Sequence, residues 1–231
     1  MEITLGICGT AGRKQDGNRL TRNHFEAMYM VANGLVEQIN ESNYPLTTAI
    51  SGGAAWADFL AVKLFLDHKI GGLKLFLPAE WDDGKFYDNG QKEHNDGGIC
   101  NYYHLQFQRK TGINSLSQMQ IAKHEGAEFV IVNRGFFARN ALIAKHSDFL
   151  LAITFGNGPE VKAGGTSHTV ECYLNRVRKD GIFDKSFHYD LNSKSIYEGC
   201  QVPDLVKEEK FKNHMAQMPY FGRAGGNLLT P

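Results

Sequence analysis

Three short stretches place bare backbone amides and small hydroxyls where a β-rich run gives way to a helical one: CGTAGR at 8–13, SGGAAWAD at 51–58 and AGGTSHT at 163–169. Glycine at such a junction permits a tight turn and removes the side chain that would keep a ligand away from the amides. The helix that follows adds unpaired N–H groups and about half a positive charge, which suits a phosphate or a carboxylate. The amides of Gly9, Thr10, Ala11 and Gly12, of Gly52, Gly53 and Ala54, and of Gly164, Gly165 and Thr166 are therefore candidate anion ligands. Thr166 and Thr169 offer hydroxyl donors, or Thr166 simply caps its helix. One glycine after a strand more often serves a turn than a ligand, so the weight lies on three such loops together. Neither G-x-G-x-x-G nor the GK[ST] ending of a P-loop occurs, which argues against ordinary NAD(P)H binding and Walker-type NTP hydrolysis.

The elements that must position these loops are legible as alternation. Apolar runs at 3–10, 47–53, 73–79, 127–133 and 148–155 read as strands, with FHYDL at 187–191 as a late edge strand. Between them, Phe25, Met28, Val31, Ala32, Leu35, Val36 and Ile39 recur at helical spacing. AAWADFLAVKLFLD, ARNALIAKHS and TSHTVECYLNRVRKDG also read as helices, as does SLSQMQIAKHEG, with Ser115 as its N-cap. Strands apolar on both faces, alternating with amphipathic helices, predict an α/β fold: a doubly wound, mostly parallel sheet with helices on both faces. In such a sheet the loops leaving the carboxyl ends of the strands gather on one rim, where ligands bind. Residues 80–135 are polar, aromatic and glycine-punctuated, too long for an ordinary connection, and read as one insertion in a single domain of 1–231. The tail from about 200 to 231 reads as irregular.

Composition narrows the classes. Lys plus Arg and Asp plus Glu stand at 25 each, so no net field draws the chain to nucleic acid or to an anionic membrane. No apolar run nears the ~20 residues of a membrane span, and the four cysteines lack metal-type spacing, which fits reduced thiols in a cytoplasm. His94, Asp96 and His104 match no standard metal site, and no metal or other cofactor is expected.

In order, GICGTAGR, AISGGAAWADFLAV, LFLPAEW, ARNALIAKHSDFLLAITF and GGTSHTVE resemble the SLOG superfamily of Rossmann-like nucleotide-binding proteins. That superfamily includes the lonely-guy phosphoribohydrolases, the molybdenum-cofactor carrier, the DNA-processing protein A family and the YspA-like proteins. The resemblance covers roughly residues 3–79 and 136–178. It is closest to the YspA-like pattern, through Ser51, Gly52, Gly53, Ala54 and Asp58, then Pro78, Ala79 and Trp81, then Arg139 and Asn140. It implies a small nucleotide-type ligand, a homo-oligomer, and an arginine at the position of Arg139 that serves cleavage of a base from a ribose phosphate. The glutamate which that chemistry needs three residues after Gly-Thr is Thr169 here. Glu171 lies two further on, turned by about 200° of helix.

Two functional readings follow. The first is a hydrolase of an N-glycosidic bond, with Arg139 on the anion or the leaving base and Asp58, Glu80 or Glu171 stabilising oxocarbenium charge. The second is a module that binds, carries or sequesters a nucleotide-derived metabolite without turnover. His168 is a weaker candidate for a general acid. Trp81, Phe86, Tyr87, Tyr102 and Tyr103 form either a lid that stacks on a base or the insertion's own small core.

Overall fold

A computed structural model describes residues 3–41, 45–91, 95–132 and 134–203; His94 and, of the irregular tail expected from about 200 to 231, all but residues 200–203 lie outside them. In chain order the elements are β1 (Thr4–Gly9), α1 (Gln15–Arg19), α2 (Arg22–Glu41), β2 (Thr48–Ser51), α3 (Phe59–Leu66) and β3 (Gly72–Leu77). There follow the two-residue strands β4 (Trp81–Asp82) and β5 (Lys85–Phe86), then α4 (Asp96–Thr111), α5 (Ser115–His124) and β6 (Glu128–Ile131). The chain continues with α6 (Gly135–His146), β7 (Phe149–Thr154), α7 (Gly165–Asp180), β8 (Ser186–Asp190) and β9 (Ser195–Glu198).

Seven strands form one sheet in the order β6-β3-β2-β1-β7-β8-β9, parallel throughout except for β9, which runs antiparallel to β8. Alternate residues feed opposite faces. Leu5, Ile7, Ala49, Leu75, Leu77, Leu151 and Ile153 join the core under α2 to α5, whereas Cys8, Leu150 and Ala152 pack with α7, and Ile50 and Phe76 with α6. This is the expected doubly wound α/β architecture, and the strand order reverses between β1 and β7. The run at 187–191 is an interior strand, β8; the sheet edge beyond it belongs to β9, whose SIYE residues are exposed except for a partly buried Tyr197. No helix among the described residues is long and apolar enough to cross a membrane.

Residues 80–135 supply β4, β5, α4, α5 and β6. The helix α4 carries few large apolar residues; its buried positions are Gly97, Cys100, His104, Phe107 and Thr111, at three-to-four spacing. Asn95 caps it by accepting the Gly98 amide at 2.8 Å. Phe107 meets Trp56, Phe25 and Phe59 edge-on at 4.9–5.4 Å between centroids, which joins α4 to the main core. The cap of α5 is Asn114, whose side chain accepts the Ser117 amide, and not Ser115. Ser115 is instead buried and bonded to His104.

His104 locks this layer to the rim. Its Nε2 lies 3.0 Å from the Gly53 carbonyl, an acceptor only, so Nε2 carries the proton; Nδ1 then accepts the Ser115 hydroxyl at 2.8 Å. Burial lowers its pKa to about 4. Unfolded, the imidazole protonates near pH 6.5, so between those values the unfolded chain binds more protons and stability falls with falling pH. Urea unfolding at pH 7 and at pH 4 will therefore show the wild type losing on the order of 3 kcal/mol more than His104→Gln across that window. Parallel losses in the two proteins would mean that His104 is not the titrating group.

Candidate functional site

The ends of β1 and β2 and the start of α7 converge, and they do so around one carboxylate. Asp58, buried just before α3, accepts the Ala54 amide at 3.4 Å, and the amides of Gly9 and Gly52 turn toward the same group and favour its charge. Burial raises its pKa, opposed by the Arg139 guanidinium at 3.9 Å and by the three amides. Gly9 is required at this point: a Cβ there would stand 2.3 Å from the Ile153 carbonyl oxygen and 2.6 Å from Ala57 Cβ.

Arg139, in the second turn of α6, is buried and donates to the Gly52 carbonyl at 3.1 Å and twice to the Asn140 side-chain oxygen, at 3.0 and 3.3 Å. The approach is close because residue 52 lacks a side chain; a Cβ there would meet Arg139 Cζ at 2.6 Å. Asn140 passes its amide to the Gly165 carbonyl at 3.0 Å. A chain of hydrogen bonds, with one ion pair between Asp58 and Arg139, thus runs from β1 and β2 through Asp58, Arg139 and Asn140 to α7.

Most of the expected ligand seats are therefore closed by the protein's own groups. The Thr10 amide donates to Ile153, its hydroxyl to Asp16 at 3.1 Å, and that same hydroxyl accepts the Gly12 amide. Ser51 donates to the Ile7 carbonyl and Thr169 to the Gly165 carbonyl, both fully buried. The Gly164 amide is taken by the Ser167 hydroxyl. Asp16, in turn, holds Lys162 at 2.5 Å, tying the loop before α7 across to α1. Ala11 and Gly53 contribute no bond from their amides to these partners, and the first-turn amides of Gly165 and Thr166 are left at the rim without an intrahelical acceptor.

The other proposed carboxylates stand apart. Glu80 and Glu171 are exposed, and neither touches Arg139 among the described residues. Glu171 acts instead on His168 and Cys172, which share its helix. His168 faces Phe137 at 4.8 Å, in the packing between α6 and α7, and burial lowers its pKa. The aromatic residues divide: Trp81 packs on Phe86 and Phe129 and donates to Gln120, and Phe86 is fully buried, so these two are core. Tyr102 and Tyr103 meet edge-on at 5.2 Å beside an open groove.

One residue of CGTAGR that the loop pattern left without a role is Arg13. Its guanidinium lies 4.5 Å from the ring centroid of Phe136 and 5.4 Å from that of Tyr103, and Arg139 lies 5.3 Å from the same Phe136. The residue as a whole is exposed, yet its guanidinium lies against two rings, and burial together with the Arg139 charge lowers its pKa. Among the described residues the Arg13 guanidinium has no hydrogen-bond or ion-pair partner. The signal in the sequence was the spacing of Arg13 from Gly9 and Gly12, at the free end of the same loop.

Compared with known proteins, the chain is 38% identical over 169 residues to an uncharacterized protein of Acanthamoeba polyphaga mimivirus, across 73% of this chain and 89% of the viral one. The chain belongs to that protein's family. No family model matches it. Among solved structures, the DNA processing protein A of Streptococcus pneumoniae is similar over 81% of this chain, with a TM-score of 0.42 and 15% identity. The chain spans 50% of that protein's length.

If Asp58 organises the rim, removing it leaves Arg139 and three amides facing each other in a dry site. Asp58→Ala is expected to lower the unfolding free energy by about 3–5 kcal/mol in urea titrations, more than Glu80→Ala or Glu171→Ala, which should change it by less than about 0.5 kcal/mol. An Asp58→Ala variant as stable as the wild type would remove Asp58 from this role.

Proposed function

We propose that the chain binds a phosphate-bearing, nucleotide-type small molecule at the carboxyl rim of the sheet and retains it without turnover. The observation that carries this reading is Arg13: a crowded guanidinium beside a second one, with Asp58 acting on it only from a distance and no carboxylate in ion-pair contact among the described residues. Two such charges in a partly desolvated place repel each other, and a bound dianion relieves the repulsion while it gains charge-assisted hydrogen bonds. The Gly165 and Thr166 amides at the start of α7 lie on the same rim, through the bond from Asn140 to Gly165, and supply neutral donors and a favourable helix end. The resemblance to SLOG proteins fits a ligand of this class.

The hydrolytic alternative needs a carboxylate free to meet positive charge on a sugar. Asp58 is the one proposed carboxylate near Arg139, and its oxygens are engaged by backbone amides in a buried place. Glu80 and Glu171 stand outside the network. The geometry therefore favours holding a ligand over cleaving it.

The test is calorimetric titration of the full chain with pyrophosphate and with nucleoside monophosphates at low salt, beside an assay for released base. Binding is expected, weakening as salt rises, with Arg13→Met reducing affinity by at least about tenfold and no base released. Unchanged affinity in Arg13→Met would refute the placement of the anion, and base release that persists at high enzyme concentration would refute retention without turnover.

A further inference from the structure

The groove that Arg13 shares on its other side has a definite chemistry. It encloses about 510 Å³, within the ~300–1,000 Å³ that small-molecule sites span, and Arg13, Lys14, Asp88, Asn95, Tyr102 and Tyr103 are among the residues that line it. One wall is aromatic: Tyr102 is 56% exposed and stands edge-on to Tyr103, leaving ring surface uncovered at the mouth of a polar groove. Exposed tyrosine rings beside a guanidinium offer a flat molecule both stacking and cation–π contact.

The polar groups are sorted by role. Asp88 takes the Gly90 amide at 2.8 Å and the Asn95 side-chain amide at 2.6 Å, both on Oδ1, and these bonds hold its pKa below the usual carboxylate range. It is therefore ionised and acceptor-only at neutral pH, and among the described residues its second oxygen has no hydrogen-bond partner. Asn95 is fully used, since its oxygen accepts the Gly98 amide and its nitrogen donates to Asp88 and to the Gln91 carbonyl; it fixes the carboxylate in place. Lys14 supplies a donor-only ammonium on a backbone held at φ 51°. The groove thus presents one anionic acceptor and cationic donors to whatever lies on the tyrosines.

Resting on the phosphate-binding reading above, we infer that this groove seats the base of the ligand and selects an oxopurine of the guanine class. Guanine carries adjacent N1–H and N2–H donors, which the two lone pairs of the open Asp88 oxygen can accept together, and O6 and N7 acceptors, which suit an ammonium or guanidinium. Adenine turns the lone pair of N1 toward the carboxylate beside its amino group, and cytosine does the same with N3. Uracil has one imino donor and less ring surface for the tyrosines. Arg13 forms the common wall, so a base in the groove leaves its phosphate on the side of Phe136 and Arg139.

The experiment compares GMP, AMP and pyrophosphate by calorimetry on the full chain, its Asp88→Asn variant and its Tyr102→Ala variant. Both substitutions are at exposed positions, and matching thermal midpoints verify that each variant is folded. GMP should bind about tenfold or more tightly than AMP; Asp88→Asn should bring that ratio close to one; Tyr102→Ala should weaken both nucleotides about fivefold or more; and neither change should move pyrophosphate. Equal affinity for GMP and AMP in the wild type, or a ratio untouched by Asp88→Asn, overturns the base assignment while pyrophosphate binding leaves the phosphate site standing. Failure of all three ligands to bind overturns both.

Discussion

A single buried carboxylate sets the geometry of the rim. Asp58 lies where the ends of β1 and β2 come together, and it draws the Gly9, Gly52 and Ala54 amides toward itself while Arg139 approaches at 3.9 Å. Taking such a charge out of water is costly, and the cost is offset only when donors and a countercharge surround it. That condition dictates the neighbours. Residues 9 and 52 have no room for a Cβ, Arg139 must thread beneath the Gly52 carbonyl, and Asn140 must hold the guanidinium from the side. Because Asn140 also reaches Gly165, the position of α7 follows from the same charge.

On the proposed reading, this arrangement moves ligand binding outward. Amides at a strand-to-helix break make an anion seat in general, but here the inner seats are filled by the protein's own side chains. What remains unsatisfied lies one step further from the sheet: Arg13 at the end of the β1 loop and the first amides of α7. Arg139 is engaged on several sides, so it contributes charge and fixes Phe136 more than it offers free donors. Arg13, stacked on that same Phe136, has its donors available. The division of labour is physical: a guanidinium bonded on several edges is a structural tie, and one bonded on none keeps its donors for the anion proposed above.

The sheet was legible in the sequence because its strands are apolar on both faces, as a parallel sheet covered on two sides demands. Ile7 and Cys8, or Leu75 and Phe76, feed opposite cores, so each run stood out without reference to periodicity. The helix α4 was hidden for the converse reason: glycine, cysteine, histidine and threonine fill its inner positions, with Phe107 alone among large apolar residues. Ser115 and Asn114 are both good caps, and only the burial of Ser115 against His104 decides between them. At the site, loop composition told where small residues gather but not which way Asp58 points. A carboxylate five residues beyond Gly53 can face solvent or the sheet, and the difference separates a catalytic group from a keystone of the fold. The resemblance read from the sequence drew attention to Arg139, which the structure places beside Asp58, and gave no role to Arg13, which lies in the same quoted loop as Gly9.

The helix α4 joins these two levels of organisation. Its inner face carries His104, neutral and bonded to the Gly53 carbonyl, so the β2 loop and the helix move as one body. Tyr102 and Tyr103, two and one positions earlier, open onto the groove, and Asn95 at the cap holds Asp88. A helix anchored by Phe107 in the core and by His104 at the rim loses little conformational entropy when a ligand meets its outer face, because the ordering was completed on folding. Residues 80–135 therefore do more than cover one side of the sheet. They set the Tyr103 ring 5.4 Å from the Arg13 guanidinium, and on the proposed reading a wall so placed lets a cleft recognise a flat, charged molecule through a few contacts without closing around it.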